Sequence, residues 1–317
     1  MTTIVIFGIT GDLAKKKLFP AILKLRRNIK IVGFSRRPFK APKVVHVQGN
    51  YNDSRAFQKL KNYITENNLF YLAVPPSTYP AILKNLYKSG LHKNVKVLIE
   101  KPFGNSLKTA KSLNLLLKKC FKEKQIYRVD HYLGKKSVVK IAKAKFNSKK
   151  IKKIEINLFQ KEGVGKRGVF YDKIGALKDV GQNHLLALLC LIIGPKIQKL
   201  RLKGAVRGQY KRYRKEKSVK INSKTETYFK IIAQLGPTEI VLSSGKKMRK
   251  NRNEVKIYFK NGKQKIFKIG SGGYERVIRG AMAGNHAMFP SMAEVIAQWK
   301  FTEKVGKELK KTSLTIY

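Results

Sequence analysis

The chain opens on Thr2 to Phe7 (TTIVIF), an unbroken β-branched and apolar run of the kind found in a strand buried on both faces. It passes directly into Gly8-Ile9-Thr10-Gly11-Asp12-Leu13-Ala14, after which Leu18, Ala21, Ile22 and Leu25 recur at helical spacing. Apolar runs at 30–34, 69–74 and 95–99 predict further strands. Helices are predicted from the Tyr51-Asn52-Asp53 turn to about Ile64, over 77–89 and over 107–121, with a short irregular connection before Tyr51. Strands alternating with helices predict a doubly wound parallel sheet of Rossmann type. Ile126 to Val129 reads as one more short strand end, and the lysine-rich run from Lys135 as the start of a helix.

Beyond Ile151 the rhythm changes. Residues 151–159 alternate like a strand with one covered face, and a long helix is expected from Ala176 to Ile193. Strands follow at 199–206, 228–235, 239–243 and 254–259, and another at 264–269 after the hairpin-like Asn261-Gly262. Two helices close the chain. Strands in series predict an α+β domain, a largely antiparallel sheet with helices on one side.

Composition narrows the class. A chain of 317 residues suits two domains, and 43% hydrophobic content excludes a disordered chain. Two cysteines, Cys120 and Cys190, exclude a disulfide framework and any four-thiolate metal site; a reducing cytoplasm is the expected setting. The longest apolar run, Leu185 to Ile193, is too short to cross a bilayer, and a buried strand at Thr2 leaves no room for a signal peptide, so no membrane partner is expected. The net charge of +52 comes from 55 lysines against 15 arginines, spread over the whole length. Without a basic tail or a nucleic-acid motif, that charge predicts a broad positive field for anionic ligands and no specific nucleic-acid partner.

Four stretches carry candidate chemistry. The turn after the first strand has the spacing Gly-x-x-Gly-x-x-Ala, and glycines between a strand and a helix let backbone approach a pyrophosphate at the helix N-terminus. The second predicted strand ends in Ser35-Arg36-Arg37; a basic residue there suits a 2′-phosphate, which points to NADP rather than NAD. Asp130-His131-Tyr132-Leu133-Gly134-Lys135 holds a carboxylate, an imidazole, a phenol and an ammonium between a strand end and a helix start, where α/β sheets place their ligands. Finally, Asp179-Val180-Gly181-Gln182-Asn183-His184 opens an otherwise apolar helix, and buried polar groups are costly unless paired.

Taken together these stretches resemble the glucose-6-phosphate dehydrogenase family. The matching segments are GITGDLAKKKLFP (8–20), LFYLAVPPSTY (69–79), EKPFG (100–104), YRVDHYLGK (127–135) and QNHLL (182–186) behind Asp179, with Gly245-Lys246 and Tyr274-Glu275-Arg276 further on. The resemblance implies oxidation of D-glucose 6-phosphate at C1 to 6-phospho-D-glucono-1,5-lactone with hydride transfer to NADP, the first step of the oxidative pentose phosphate pathway. It implies a dinucleotide-binding domain over 1–127 and a substrate-binding and oligomerisation domain over 128–317, in a homodimer or homotetramer. His184 would be the general base, Asp130 its orienting carboxylate, and Lys101 a catalytic group between nicotinamide and sugar. His131, Tyr132 and Lys135 would hold the phosphate, while Glu162, Asp179 and Lys246 would bind sugar hydroxyls or close the substrate site. Gly8, Thr10, Gly11, Asp12, Leu13, Arg36, Pro75, Tyr79 and Lys101 would hold the cofactor, and no metal is called for because the nicotinamide takes the electrons. The chain is shorter than the family's usual length, and Gly181 and Ala187 stand where larger residues are expected.

Two rival readings remain open at this point. Another Glu-Lys-Pro-type NAD(P)-dependent sugar dehydrogenase fits Glu100-Lys101-Pro102 but gives no reason for a His131 and Lys135 phosphate clamp. A basic nucleic-acid-binding protein on a degenerate dehydrogenase scaffold would want its lysines in a stripe.

Overall fold

The computed structural model describes residues 1–25, 28–144 and 146–317, without the side chain of Pro195. The chain forms two compact units, Met1–Gly104 with Lys108–Gly134 and Gly272–Ser291, and Asn105–Leu107 with Lys135–Ser271 and Met292–Tyr317.

The first unit is built on β1 (Thr2–Phe7), whose residues Ile4 to Phe7 are wholly buried. In chain order follow α1 (Phe19–Leu23), β2 (Ile29–Ser35), β3 (Val44–Gln48), α2 (Ser54–Lys61), β4 (Asn67–Leu72), α3 (Tyr79–Lys88), β5 (Val95–Glu100), α4 (Leu107–Lys118) and β6 (Ile126–Val129). The strands pair in the order β3-β2-β1-β4-β5-β6, and every ladder is parallel. Order reverses between β1 and β4, so a crevice opens at their carboxyl ends, the place where such sheets take ligands. Alternation along β1 divides the core. Ile4 and Ile6 join Leu18, Ile22 and Leu98 on one face, whereas Phe7 packs on the other against Phe34, Phe57 and Phe70 at centroid distances of 5.2, 6.0 and 5.9 Å. Val277, Ile278 and Ala281 return late in the chain, on the helix Tyr274–Met282, to complete the first of these cores.

The segment before Tyr51 departs from the sequence-based expectation. It is not an irregular connection, because Val44 to Gln48 pairs in parallel with Ile31 to Ser35 as the edge strand β3. Five residues with a half-buried histidine in the middle carry too little periodicity to mark a strand; the neighbouring ladder supplies what propensity does not.

The second unit contains α5 (Lys136–Lys143), β7 (Ile151–Phe159), α6 (Gly168–Ala176), a π-helical segment (Leu177–Leu185), α7 (Leu186–Ile193), β8 (Arg201–Gln209), β9 (Tyr228–Leu235), β10 (Thr238–Gly245), β11 (Arg252–Phe259) and β12 (Gln264–Lys268). After α8 (Tyr274–Met282) in the first unit, α9 (Met292–Lys311) and β13 (Leu314–Ile316) complete the second. Its seven strands run β12-β11-β7-β10-β9-β8-β13, antiparallel except for β7 with β10 and β8 with β13. Register aligns Ile257, Ile154, Ile240 and Ala233 in one row and Val255, Ile156, Leu242 and Ile231 in the next. All eight are buried. Residues of the alternate register include Lys153 and Glu239, which pair at 2.8 Å, and Lys256 with Glu254 at 3.1 Å, as expected of a sheet with only one apolar face.

The helix expected from Ala176 is also more broken than its pattern suggests. The non-helical Gly175 (φ 70°, ψ 176°) lies directly before the expected start, but within the expected helix Leu177–Leu185 is wound as a π-helix. The helical stretch Gly165–Ile193 is long and apolar enough by length and composition to cross a membrane, but 89% of its apolar window is buried inside the protein. The short strand β13 carries no pattern long enough to read in advance.

Candidate active site

The glycine turn closes β1 at the switch point. Gly8 has φ +83°, and a Cβ there would lie 2.6 Å from Val74 Cγ1 and 2.7 Å from the Ala73 carbonyl oxygen, so only glycine lets the ends of β1 and β4 approach this closely. Gly8 N–H donates to Phe34 O (2.8 Å) and Gly11 N–H to Gly8 O (2.9 Å), which ties the turn to β2 and to itself. Thr10 is half-buried in the bend; Asp12 is exposed and pairs with Lys16 at 3.2 Å; Leu13 precedes the π-turn Ala14–Leu18 that leads into α1. At the neighbouring strand end Pro75 is exposed, and its carbonyl accepts from Thr78 N–H (3.0 Å) and Thr78 Oγ1–H (2.8 Å), starting the helix whose first residue is the buried Tyr79.

Arg36 and Arg37 are exposed directly after β2. Their backbone is held by Ser35, whose Oγ donates to Arg37 O (2.8 Å) and bonds His46 Nε2 (2.9 Å), and by Gln48 Nε2, which donates to Arg36 O (3.2 Å). His46 and Gln48 belong to the edge strand that the sequence pattern did not mark. A glycine turn at the switch point, a helix start behind it and two exposed guanidiniums at the end of β2 fit a dinucleotide carrying a 2′-phosphate.

At the end of β5 the Glu100 carboxyl is buried and accepts a short hydrogen bond from Tyr71 O–H. Burial pushes its pKa up to about 7, with the Tyr71 hydrogen bond and the charge of Lys101 opposing the rise and Asp130 adding to it. Burial raises the phenols of Tyr71, Tyr79 and Tyr274 as well, and Glu100 reinforces each. Lys101 is half-buried and joined to Pro102 by a cis peptide bond.

One strand over, Arg128 anchors β6. Its Nη1 donates to Glu123 Oε1 (2.7 Å), its Nη2 to Asn114 Oδ1 (2.9 Å) and Glu123 Oε2 (3.2 Å), and its guanidinium lies over the Phe103 ring. The Arg128 hydrogen bonds hold the Glu123 carboxyl below its usual range. Asp130 is buried and accepts from Tyr132 N–H (2.9 Å), which folds the chain over into the next turn. His131 stacks on Tyr274 with centroids 5.2 Å apart and planes within 7°. Gly134 admits no Cβ, because the carbonyl of Gly273 would be 2.2 Å away. In the first unit, therefore, Gly8, Arg36, Lys101, Asp130, His131 and the buried Tyr132 all stand at carboxyl ends of parallel strands. Lys135 opens α5 in the second unit, also buried.

The second unit gathers another set. Asp179 is buried and pairs with Arg167 Nη2 at 3.0 Å. Lys246 sends its Nζ to Gln160 Oε1 by a short bond and lies over the Tyr171 ring at 5.8 Å. Tyr171 is itself buried and raised in pKa, first by burial and then by Asp179 and Glu226, and among the described residues its hydroxyl has no hydrogen-bond partner. Sequence reasoning passed over Tyr171, Gln160 and Arg167; only their placement beside Lys246 and Asp179 marks them. Glu162 is exposed, and its carbonyl accepts from Lys247 N–H (3.1 Å). His184 is buried, and its N–H donates to Asn183 Oδ1 at 2.8 Å. Gly181 has a local reason to be small, since a Cβ there would meet the Phe229 ring at 2.9 Å.

What sets the start of the π-helix is Glu226, remote in sequence. Its Oε1 accepts from Leu177 N–H (3.0 Å) and its backbone O from Ala176 N–H (3.0 Å). Gly175 makes room, since a Cβ would sit 2.3 Å from that same Oε1. A carboxylate at a helix N-terminus satisfies an orphan N–H and complements the helix dipole. Glu226→Ala should lower stability by about 1 kcal/mol, the worth of a cap, and lower turnover through the residues that the π-helix carries. Glu226→Gln keeps the accepting oxygen and should recover most of both, as read by urea denaturation and steady-state rates.

Glu100 makes a pH prediction. Its folded-state pKa of about 7 lies above the ordinary 4.5, so the stability linked to its protonated form is complete below about pH 4.5 and is lost as pH rises through 7. Glu100→Gln cannot ionise and still accepts from Tyr71. Thermal melts from pH 5 to 8 should therefore be flatter for the variant than for the parent; parallel curves would place the titration elsewhere.

The comparisons with known proteins follow the same division. Residues 5–45 and 39–140 match the profile described as Glucose-6-phosphate dehydrogenase, NAD binding domain, and residues 138–196 and 193–273 that described as Glucose-6-phosphate dehydrogenase, C-terminal domain. The glucose-6-phosphate 1-dehydrogenase of Helicobacter pylori strain J99 is 32% identical over 319 aligned positions, which cover 81% of this chain and 75% of the relative. The crystal structure of glucose-6-phosphate 1-dehydrogenase from Mycobacterium avium superposes with a TM-score of 0.84 at 26% identity, covering 100% of this chain and 94% of that one. A glucose-6-phosphate dehydrogenase in complex with its substrate glucose 6-phosphate gives 0.86 at 25% identity, with the same two coverages. With both domain profiles matched in order and the fold shared along its whole length, this chain belongs to the glucose-6-phosphate dehydrogenase family.

Proposed function

We propose that this chain oxidises D-glucose 6-phosphate at C1 to 6-phospho-D-glucono-1,5-lactone with NADP as hydride acceptor, the entry step of the oxidative pentose phosphate pathway. Family membership supports the reaction class. The observation that carries the reading is the gathering, in one unit, of the Gly8 turn, Arg36, Lys101 and the Asp130-His131-Tyr132 turn at the carboxyl ends of one parallel sheet. Residues 1–127 then serve the dinucleotide, and 128–317 serve substrate and assembly.

Each residue has a role that its chemistry permits. His184 removes the C1 hydroxyl proton, since an imidazole of ordinary pKa about 6.5 can accept it near neutral pH. Asp130 is assigned to orient that base and to stabilise the imidazolium. His131, Tyr132 and Lys135 bind the phosphate, for which charge-assisted hydrogen bonds are the strong ones. Glu162, Asp179 and Lys246 bind sugar hydroxyls or close the substrate site, with Lys101 between nicotinamide and sugar. Gly8, Thr10, Gly11, Asp12, Leu13, Pro75 and Tyr79 form the cofactor cradle, with Arg36 on the 2′-phosphate. NADP, when bound, supplies the hydride acceptor. The working enzyme is a cytoplasmic homodimer or homotetramer; Cys120 and Cys190 are both free thiols, which suits a reducing compartment, and light scattering on the full chain checks the assembly.

The direct test is absorbance at 340 nm with glucose 6-phosphate, comparing NADP with NAD and glucose 6-phosphate with glucose. Absence of turnover with the phosphorylated sugar would sink the assignment. Arg36→Leu should raise KM for NADP about tenfold or more and leave that for NAD nearly unchanged, because one charge-assisted phosphate contact is at stake. Equal losses for both cofactors would give the residue to the fold.

The two histidines separate by kinetics. His184→Asn should lower kcat by about two orders of magnitude or more with little change in substrate affinity, as expected for a lost general base. His131→Asn should chiefly raise KM for glucose 6-phosphate, because its partner is the ground-state phosphate. Swapped phenotypes would exchange the roles.

A further inference from the structure

The first unit carries a second cleft that the dehydrogenase reaction does not use. It lies at the amino ends of β5 and β6, the edge of the sheet opposite the glycine turn, and is an open cleft of about 740 Å³. Lys93, Lys96, Lys118, Lys119, Lys122 and Lys124 line it, and no aspartate or glutamate does. Lys96 is committed: its Nζ donates to Met282 O at 2.6 Å, and burial lowers its pKa. The other five are exposed, and among the described residues none makes a salt bridge, although Lys118 helps to lower the pKa of Glu123, whose carboxylate is taken by Arg128. Elsewhere Lys16, Lys153, Lys256 and Lys311 each meet a carboxylate.

Helix dipoles explain part of this. α3 ends at Lys88 and α4 at Lys118, and carbonyl ends favour cations, which accounts for Lys118 and Lys119. They do not account for Lys93, Lys122 and Lys124, which lie on the segments leading into β5 and β6. Five ammonium groups around one cleft repel one another within a Debye length of about 10 Å, and a polyanion would relieve that repulsion.

Two further observations make this a built cleft. Gln125 staples its walls together: Oε1 accepts from Lys122 N–H (2.9 Å), while Nε2 donates to His92 O (3.1 Å) and Val95 O (2.8 Å). Tyr87 stacks on His92 with centroids 4.6 Å apart and planes at 24°, yet remains 55% exposed, so a flat aromatic surface stays open beside the charge. Among the described residues His92 Nδ1 is buried without a hydrogen-bond partner. Lysines beside an open ring suit phosphates joined to a base, since every base can stack on an aromatic face. A volume in the range of small-molecule pockets, about 300–1,000 Å³, suits one nucleotide rather than a polymer.

We propose that this cleft is a second nucleotide site that takes a nucleoside triphosphate, its phosphates among Lys93, Lys118, Lys119, Lys122 and Lys124 and its base on Tyr87. The site is independent of the dehydrogenase reading. ATP is titrated calorimetrically into the full chain at 0.1 M salt with NADP already saturating, so that the dinucleotide site is closed to it. Inorganic tripolyphosphate and a ten-residue oligothymidylate serve as comparison ligands.

The expected result is one ATP per chain. Lys93→Glu with Lys122→Glu, one lysine from each wall, should weaken ATP about tenfold or more, because binding of a polyphosphate is dominated by charge. Tyr87→Ala should weaken ATP about fivefold or more through lost stacking and leave tripolyphosphate unchanged. Both variants alter exposed side chains, and unchanged dehydrogenase turnover with unchanged melting confirms that they fold. No ATP binding beside NADP, or binding that the double variant leaves intact, overturns the site. Tripolyphosphate binding as tight as ATP, with no effect of Tyr87→Ala, overturns the nucleotide. Oligothymidylate that displaces ATP and is lost in the double variant replaces the proposal with single-stranded nucleic acid.

Discussion

Burying β1 on both faces is the constraint from which the first unit follows. A strand with four consecutive wholly buried residues must have neighbours on both sides and helices above and below, and β2 and β4 flank it in parallel. Parallel neighbours require crossovers, and with β2 on one side and β4 on the other the sheet grows outward in two directions. The crevice at Gly8 is the geometric result. Gly8 itself is the narrowest point, where Val74 and Ala73 leave no room for a side chain. The same topology lines up the ends of β2, β5 and β6, so Arg36, Lys101 and Asp130 reach one edge without any contact among themselves in sequence.

The second unit solves a different problem, how to keep polar side chains inside an apolar helix. Its π-helix begins at a glycine that helix geometry rejects and is capped by a carboxylate 49 residues away. A π-helix has wider turns than an α-helix and is commonly found at functional sites. Here it carries Asp179, Gln182, Asn183 and His184, all buried. Each buried polar group needs a partner, and Arg167 on Asp179 and Asn183 on the backbone of His184 show how that need is met locally. The small Gly181 belongs to the same economy of space, since Phe229 of β9 fills the position a larger side chain would take.

Charge is distributed on another principle. The net charge of +52 is too widespread to define a site, and where Lys153 of β7 faces Glu239 of β10 the result is an ordinary surface pair of small energetic weight. The cleft between α3 and α4 differs because, among the described residues, its exposed lysines make no salt bridge, and because they share walls that Gln125 fastens together. Local geometry, and not total charge, distinguishes a ligand site from a solvated face.

The sequence by itself determined the fold class, the family and most of the candidate residues, because each rests on local periodicity or a contiguous motif. TTIVIF before glycines, YRVDHYLGK and QNHLL all lie within one element or one turn, where side-chain chemistry and spacing are visible in order. Only the tertiary structure decided what depends on neighbours distant in sequence. β3 exists because the β2 ladder recruits it, and with it come His46 and Gln48 behind Arg36. The break at Gly175 and the π-winding after it answer to Glu226, and the value of Tyr171 and Gln160 lies in their proximity to Lys246. Glu100 reads in sequence as part of a motif, but its pKa near neutrality comes from burial, with the charge of Asp130 adding to the rise and Tyr71 opposing it. Burial, through-space charge and long-range capping have no local signature, which is why those features had to wait for the fold.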